Sequence, residues 1–254
     1  MKLFFLGGGN SAKIILEEMY DYIEKAYIFD KNKEQVDKLK YIFDNVEYKE
    51  INEIKDLEVD YVIEAASVEA LKEYGLKILD MNKDLIVLST GAFADKIFRE
   101  KFLSRIKNNN INNKVYVVSG AIGGIDLINA IYDKIDSITL TTRKPPKSLG
   151  LEIAEEKIIF EGNAVDAINR FPKNVNVAVT LSLAVRSFEK VNVRIVADPN
   201  IERNIHSINI ISKAGNYNFE FENYPSNNPK TSYLAPLSIV GLLRNLNNNF
   251  RIGG

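Results

Sequence analysis

Short apolar runs alternate with longer amphipathic segments through the first half of the chain. The apolar runs predict strands at residues 2–6, 26–30, 46–48, 59–65, 85–88 and 115–118. The segments between them predict helices at 10–24, 33–43, 68–81 and 95–107. Buried strands that alternate with helices are typical of a parallel sheet covered on both faces. The pattern therefore predicts an α/β fold that opens with a doubly wound parallel sheet over residues 1–120.

The second half has closely spaced strand patterns instead. Strands are predicted at 137–142, 157–161, 190–197, 204–212 and 217–222, and helices at 124–134, 163–170 and 175–188. Val191, Val193 and Ile195 alternate with polar residues, as on a half-buried strand. Residues 121–231 are therefore expected to form an α+β domain with a mixed sheet. The last predicted helix, about 232–247, is apolar enough to need a partner, and we expect it to pack back on the first domain.

The composition and charge of the chain exclude several classes of partner and metal site. The chain has 254 residues, a net charge of −1, no cysteine and a single histidine, His206. A near-neutral charge without a basic tail favours neither nucleic acid nor a membrane surface as a partner. The absence of cysteine fits a reducing compartment, and one histidine excludes a multi-histidine zinc site. An all-carboxylate magnesium site stays open on composition, but no residue pattern points to one and no metal site is expected. The composition indicates a cytoplasmic protein.

A glycine-rich turn follows the first strand and reads G-x-G-x-x-A from Gly7 to Ala12. The next predicted strand ends at Asp30, about twenty residues later, as in a dinucleotide-binding βαβ unit. Glycine permits the tight turn and a close approach of pyrophosphate, and the helix N-terminus favours phosphate. A glycine turn that only links strand to helix is the alternative. The candidate cofactor residues here are Gly7, Gly9, Asn10, Ser11 and Asp30.

The acidic residue also bears on which dinucleotide is used. Asp30 is expected to bind the adenosine ribose hydroxyls and to repel a 2′-phosphate. Lys31 follows it and Lys33 is near, and either side chain suits that phosphate. The expected cofactor is therefore NAD, with NADP tolerated.

Small polar residues follow three other predicted strands. They are Ala66 and Ser67, then Ser89, and then the second glycine-rich turn at residues 119–124. Ligands of open parallel sheets bind outside the carboxyl ends of the strands, so these residues are candidates for the nicotinamide side. Ordinary turn chemistry explains each of them equally well when it is taken alone.

Two features of the second half suggest chemistry. A proline-stiffened basic loop at 144–148 carries Lys144 and Lys147, which suits an acidic substrate or simply a solvated surface. His206 lies on a predicted strand with Ile208 and Ile210 on the same face. A histidine in that position is commonly structural, yet it is the one side chain whose ordinary pKa lies near neutrality, which suits a proton-transfer group.

Several of these segments, in this order, resemble the L-aspartate dehydrogenase family. They are residues 119–124, 144–150, 171–178, 197–199, 204–206 and 228–232. The resemblance implies NAD(P)-dependent oxidation of L-aspartate to iminosuccinate, which water converts to oxaloacetate and ammonia, and a role in NAD biosynthesis. It implies a homodimer with a Rossmann domain, His206 as the active-site residue, and cofactor contacts at Ala121 and Asn176.

The substrate's two carboxylates need cationic or N–H partners. Our candidates for substrate binding are Lys147, Thr231 and Ser232. Two alternatives stay open at this point. One is another two-domain reductase, similar to homoserine dehydrogenase or dihydrodipicolinate reductase. The other is a protein that senses a dinucleotide without turning it over.

Overall fold

The computed structural model describes residues 1–107, 113–171, 176–226 and 232–252. The chain divides into two compact units. The first consists of Met1–Val118 together with Ala235–Arg251, and the second consists mainly of Ser119–Leu234.

The first unit contains a six-stranded sheet in which every pair of neighbouring strands is parallel. The strand order is β3-β2-β1-β4-β5-β6. The strands are β1 (Lys2–Leu6), β2 (Lys25–Phe29), β3 (Val46–Tyr48), β4 (Tyr61–Glu64), β5 (Leu85–Val87) and β6 (Val115–Val117). The order reverses direction at β1, which is the doubly wound arrangement that the sequence predicted.

The helices of this unit are α1 (Asn10–Met19), α2 (Lys33–Ile42), α3 (Val68–Asp80) and α4 (Lys96–Lys107). Ser67 caps α3 by accepting a hydrogen bond from the backbone N–H of Ala70 at 3.1 Å. The prediction for α1 was too long. The chain leaves the α-helix after Met19 through a 3₁₀ turn, Tyr20–Tyr22, where the Tyr22 carbonyl accepts a hydrogen bond from the N-terminal amine.

The second unit contains a five-stranded sheet of order β11-β10-β7-β9-β8. Its strands are β7 (Ile135–Lys144), β8 (Lys157–Asn163), β9 (Val191–Ala197), β10 (Ile205–Ser212) and β11 (Gly215–Glu222). Its helices are α5 (Ile125–Ile131), α6 (Ala164–Arg170) and α7 (Asn176–Ala184). β7 and β9 are parallel and the other pairs are antiparallel, so the sheet is mixed, as predicted.

One face of this sheet packs on the helices to form the core of the second unit. Leu140, Val193 and Ile208 are buried there together with Leu181 of α7. β7 runs further than the sequence suggested. Lys144, which was assigned to the basic loop, is its last residue, because it continues the pairing with β9 opposite Ala197.

The C-terminal helix α8 (Leu234–Leu246) contributes to the core of the first unit. Ile239, Val240 and Leu243 are at most 1% exposed and pack in the same cluster as Leu3 and Ile15. Within the described ranges, none of the helices is both long and apolar enough to cross a membrane.

Candidate active site

The first glycine-rich turn begins where β1 ends. Gly7 has φ +104°, a region that side chains other than glycine rarely adopt. A Cβ atom on Gly7 would also lie 2.8 Å from the Cα of Ala66, in the turn after β4. Glycine is therefore required here for two independent reasons, backbone conformation and the close approach of a neighbouring turn.

Gly9 is the N-cap residue of α1, and glycine brings no side chain to cap the free N–H groups of the first turn. A Cβ atom on Gly9 would meet nothing within 4 Å, so the backbone there faces open space. Asn10 and Ser11, in the first turn of α1, are half-buried. A pyrophosphate fits this arrangement, because it can approach the backbone and meet the positive end of the helix dipole.

Asp30 directly follows β2 and contacts this turn. One carboxylate oxygen accepts a hydrogen bond from the Gly8 N–H at 2.8 Å, and the other accepts one from the Asn32 N–H at 2.8 Å. The nearby lysines have their own partners: Lys31 pairs with Glu73 at 2.7 Å, and Lys33 lies 4.4 Å above the ring of Tyr48. The carboxylate is thus held at the edge of the turn, where it suits ribose hydroxyls.

The turns after β4 and β5 lie at the same edge of the sheet. Ala66 is exposed, Ser67 is half-buried and Ser89 is buried. One residue here that no sequence motif singled out is Glu64, the last residue of β4, which is fully buried. Burial raises the pKa of its carboxyl, against hydrogen bonds from Ser89, Ala66 and Leu88. The sequence did contain a signal for this residue: an acidic side chain at the end of an apolar strand, followed by a turn of small residues.

His206 lies on β10 of the second unit, opposite Thr142 of β7, and is 8% exposed. Its Nδ1 is 3.0 Å from the Thr142 Oγ1. Burial, with a smaller contribution from the positive charge of Lys144, lowers the pKa of His206 to about 4. The expectation of a pKa near neutrality was therefore wrong, because the sequence does not show how completely the ring is removed from water.

Lys144 is a second group that sequence analysis underestimated. It lies two residues beyond Thr142 on β7, and alternation along a strand places both side chains on the face that carries His206. Lys144 is half-buried, and loss of hydration lowers its pKa. A histidine and a lysine that share one polar end of an apolar sheet face form a site suited to an anion and to proton transfer.

The second glycine-rich turn packs against β11 next to this site. Gly124 precedes α5 with φ +73°, and a Cβ atom there would lie 2.9 Å from the ring of Phe219. A Cβ on Gly123 would lie 3.2 Å from Phe221, the residue that pairs with His206 across β10 and β11. The carbonyl of Ala121 accepts a hydrogen bond from the Asn223 side chain at 2.8 Å. Close packing on these rings therefore accounts for both glycines.

The remaining predicted residues lie on separate elements. Lys147 is exposed in the 3₁₀ turn after β7, and Asn176 is exposed at the start of α7. The Ser232 hydroxyl accepts a hydrogen bond from the Leu234 N–H at 3.2 Å, at the start of α8. Thr231 lies outside the described residues. Among the residues that the structure describes, no three acidic or histidine side chains cluster closely enough to hold a metal ion.

Comparison with known proteins agrees with this geometry. A family described as "Aspartate dehydrogenase, C-terminal" matches residues 126–246, and one described as "Homoserine dehydrogenase, NAD binding domain" matches residues 8–117. The first unit is thus an NAD-binding domain.

Two relatives named L-aspartate dehydrogenase match the full length of the chain. The protein from Thermotoga maritima is 42% identical over 100% of both chains. The protein from Methanospirillum hungatei is 37% identical over 100% of this chain and 99% of its own. The crystal structure of aspartate dehydrogenase from Thermotoga maritima superposes with a TM-score of 0.83 at 38% identity, over 100% of this chain and 99% of that one. This chain belongs to the L-aspartate dehydrogenase family.

Proposed function

We propose that this dehydrogenase oxidises L-aspartate to iminosuccinate with NAD(P)⁺, and that water converts the imine into oxaloacetate and ammonia. The observation that carries the proposal is the pairing of buried His206 with Thr142 beside Lys144, in a chain whose other unit is an NAD-binding domain. Proton transfer, a bound anion and a dinucleotide are the three requirements of this reaction.

In this proposal the two ends of the cofactor meet different residues. Gly7, Gly9, Asn10 and Ser11 hold the pyrophosphate through backbone N–H groups and the start of α1, and Asp30 accepts hydrogen bonds from the adenosine ribose. The residues proposed for the nicotinamide end are Ala66, Ser67 and Ser89, together with Ala121 and Asn176 on the likeness to the family. Bound NAD(P)⁺ supplies the acceptor for the hydride of the substrate α-carbon.

His206 is the proposed proton-transfer residue. The hydrogen bond to Thr142 occupies Nδ1, so Nε2 is the nitrogen that we assign to the reactants. As water attacks the imine carbon, a neutral His206 takes one proton from the water. It passes that proton to the imine nitrogen, which gives a carbinolamine. It then carries the proton of the new hydroxyl to the same nitrogen, so the carbon–nitrogen bond breaks and ammonia leaves as the carbonyl forms. A His206 that is neutral at pH 7 suits the base step.

The substrate carries two carboxylates, and we propose Lys144 as the partner of one of them. Its half-buried ammonium lies close enough to lower the pKa of His206, so an anion bound to it would offset that effect and strengthen the base. Lys147, Thr231 and Ser232 remain proposed partners of the other carboxylate.

We further propose that the protein is a cytoplasmic homodimer and that its iminosuccinate feeds NAD biosynthesis. The lack of cysteine fits a reducing compartment, and the family motifs support the assembly and the pathway. Light scattering of the purified protein tests the dimer.

A panel of amino acids tests the activity. The band of reduced nicotinamide is followed after L-aspartate, L-homoserine or L-glutamate is added to the protein with NAD⁺ or NADP⁺, and oxaloacetate and ammonia are measured as products. We expect turnover with aspartate. Turnover with homoserine alone would favour the related reductase, and dinucleotide binding without turnover of any member of the panel would favour a sensing protein.

A further inference from the structure

We infer that Glu64 is a positioning residue that holds the turns after β4 and β5 in the shape required by the nicotinamide half of the cofactor. The inference rests on the proposed placement of that half beside Ala66, Ser67 and Ser89. Glu64 itself does not contact the reacting atoms in this assignment.

The carboxyl of Glu64 joins two separate turns. One oxygen accepts a hydrogen bond from the Ala66 N–H at 3.0 Å, in the turn that follows β4. The other accepts hydrogen bonds from the N–H groups of Ser89 at 2.8 Å and Leu88 at 3.3 Å, in the turn that follows β5. A single side chain therefore fixes the separation and the orientation of two backbone segments that lie 22 or more residues apart in sequence.

A buried carboxyl at this position lowers the stability of the fold. Glu64 is 0% exposed, and removing an ionised carboxylate from water destabilises it, which is why its pKa is raised. If position 64 only had to pack in the sheet, an apolar side chain would be more stable there. The two preceding residues of β4, Val62 and Ile63, are of that kind. A buried acid that satisfies backbone donors at a ligand-binding edge is better explained by the shape that it imposes on that edge.

The position of Glu64 in the sheet points to the nicotinamide half. In a doubly wound sheet each half binds one nucleotide, and the two halves meet where the strand order reverses. Asp30 and the first glycine turn belong to the half made by β1, β2 and β3. Glu64 ends β4, and its hydrogen bonds reach only turns of the other half. Loss of its carboxylate should therefore affect the second nucleotide more than the adenosine end.

Binding of NAD⁺ and of ADP to the full-length protein separates these effects, since ADP has the adenosine and diphosphate but no second nucleoside. Isothermal titration is carried out on wild type, Glu64→Gln and Glu64→Asp. The glutamine variant keeps the size but turns an N–H₂ group toward backbone N–H donors, and the aspartate variant withdraws the carboxylate by one methylene. Ile63→Val is the matched control, a buried change on the same strand that leaves both turns their acceptor.

We expect Glu64→Gln to raise the dissociation constant of NAD⁺ at least tenfold and that of ADP less than twofold, with Glu64→Asp between it and wild type. Ile63→Val should leave both constants within twofold. Equal weakening of NAD⁺ and ADP, or no weakening of either, in a folded variant would overturn the inference. If Glu64→Gln does not fold, Glu64→Asp is judged by the same ratio. Failure of wild type to bind NAD⁺ would instead refute the cofactor placement itself.

Discussion

Thr142 and His206 face each other across the paired strands β7 and β10, with Oγ1 and Nδ1 3.0 Å apart. Both side chains are buried, and both strands are fixed by further neighbours in the sheet. The imidazole is therefore held on a rigid platform with one nitrogen already bonded, which restricts its orientation as a catalytic group must be restricted.

Replacement of His206 tests its role directly. If it is the acid–base residue, His206→Ala should lower kcat by roughly a hundredfold to ten-thousandfold, the usual scale for this kind of catalysis. The affinity for NAD⁺ should barely change, since the proposed phosphate and ribose contacts lie in the first unit. Steady-state kinetics and NAD⁺ titration measure the two effects. A folded variant with wild-type kcat would remove His206 from the mechanism.

The pH dependence of kcat/KM should reflect the buried ring. Burial and Lys144 hold the pKa of His206 at about 4, so we expect the acidic limb of the wild-type profile well below neutrality. Lys144→Met removes the repulsion by the ammonium and should move that limb to higher pH. Lys157→Met, at an exposed lysine of β8, is the control and should leave the limb in place. An unshifted limb in Lys144→Met would show that the two groups do not interact.

His206 should also make stability depend on pH. Its pKa is about 4 in the folded protein and near 6.5 when unfolded, so only the unfolded chain takes up the proton between these values. Stability from this group is complete above pH 6.5 and is lost as the pH falls toward 4, by about 3 kcal/mol. Urea unfolding at pH 7 and pH 4.5 measures the loss. The loss should be smaller in His206→Gln, and identical losses in the two proteins would contradict the low pKa.

Lys147 was chosen as a substrate-binding residue from sequence, and kinetics will decide its role. If it pairs with a carboxylate, Lys147→Met should raise the KM for aspartate steeply while leaving kcat less affected, because an anion would lose its partner on binding. Because Lys147 is exposed, its replacement should not disturb the fold, so a raised KM would report on substrate binding. A KM equal to that of wild type would leave Lys144 as the cation to consider.

Asp30 should govern the choice between the two dinucleotides. Asp30→Ala removes a negative charge that repels a 2′-phosphate, so the NAD⁺ to NADP⁺ ratio of kcat/KM should fall. Because Asp30 also accepts hydrogen bonds from Gly8 and Asn32, both cofactors should bind more weakly than in wild type. Glu34→Ala, an exposed acid in the first turn of α2, serves as the control. An unchanged ratio would mean that Asp30 does not touch the ribose.

Local sequence patterns predicted the first unit well, because its signals are local. The strands, Gly7 and Asp30 follow from hydrophobic period and turn chemistry within about thirty residues. Glu64 and Lys144 were harder to predict. The importance of Glu64 depends on the N–H groups of a turn more than 20 residues away, and that of Lys144 depends on the register of β7 against β10. Single-sequence patterns do not encode such register, nor the degree of burial that sets the pKa of His206.

The return of α8 to the core that contains Leu3 has a consequence for how the protein is made. The first unit is assembled from two segments of the sequence, and the second unit lies between them as an insertion in the sequence. Domains that are continuous in sequence can complete their cores while the ribosome is still translating the rest. Here Ile239, Val240 and Leu243 emerge only after the whole second unit, so the dinucleotide-binding core cannot close until that unit has been translated, and a chain that stops short of α8 leaves an apolar surface uncovered.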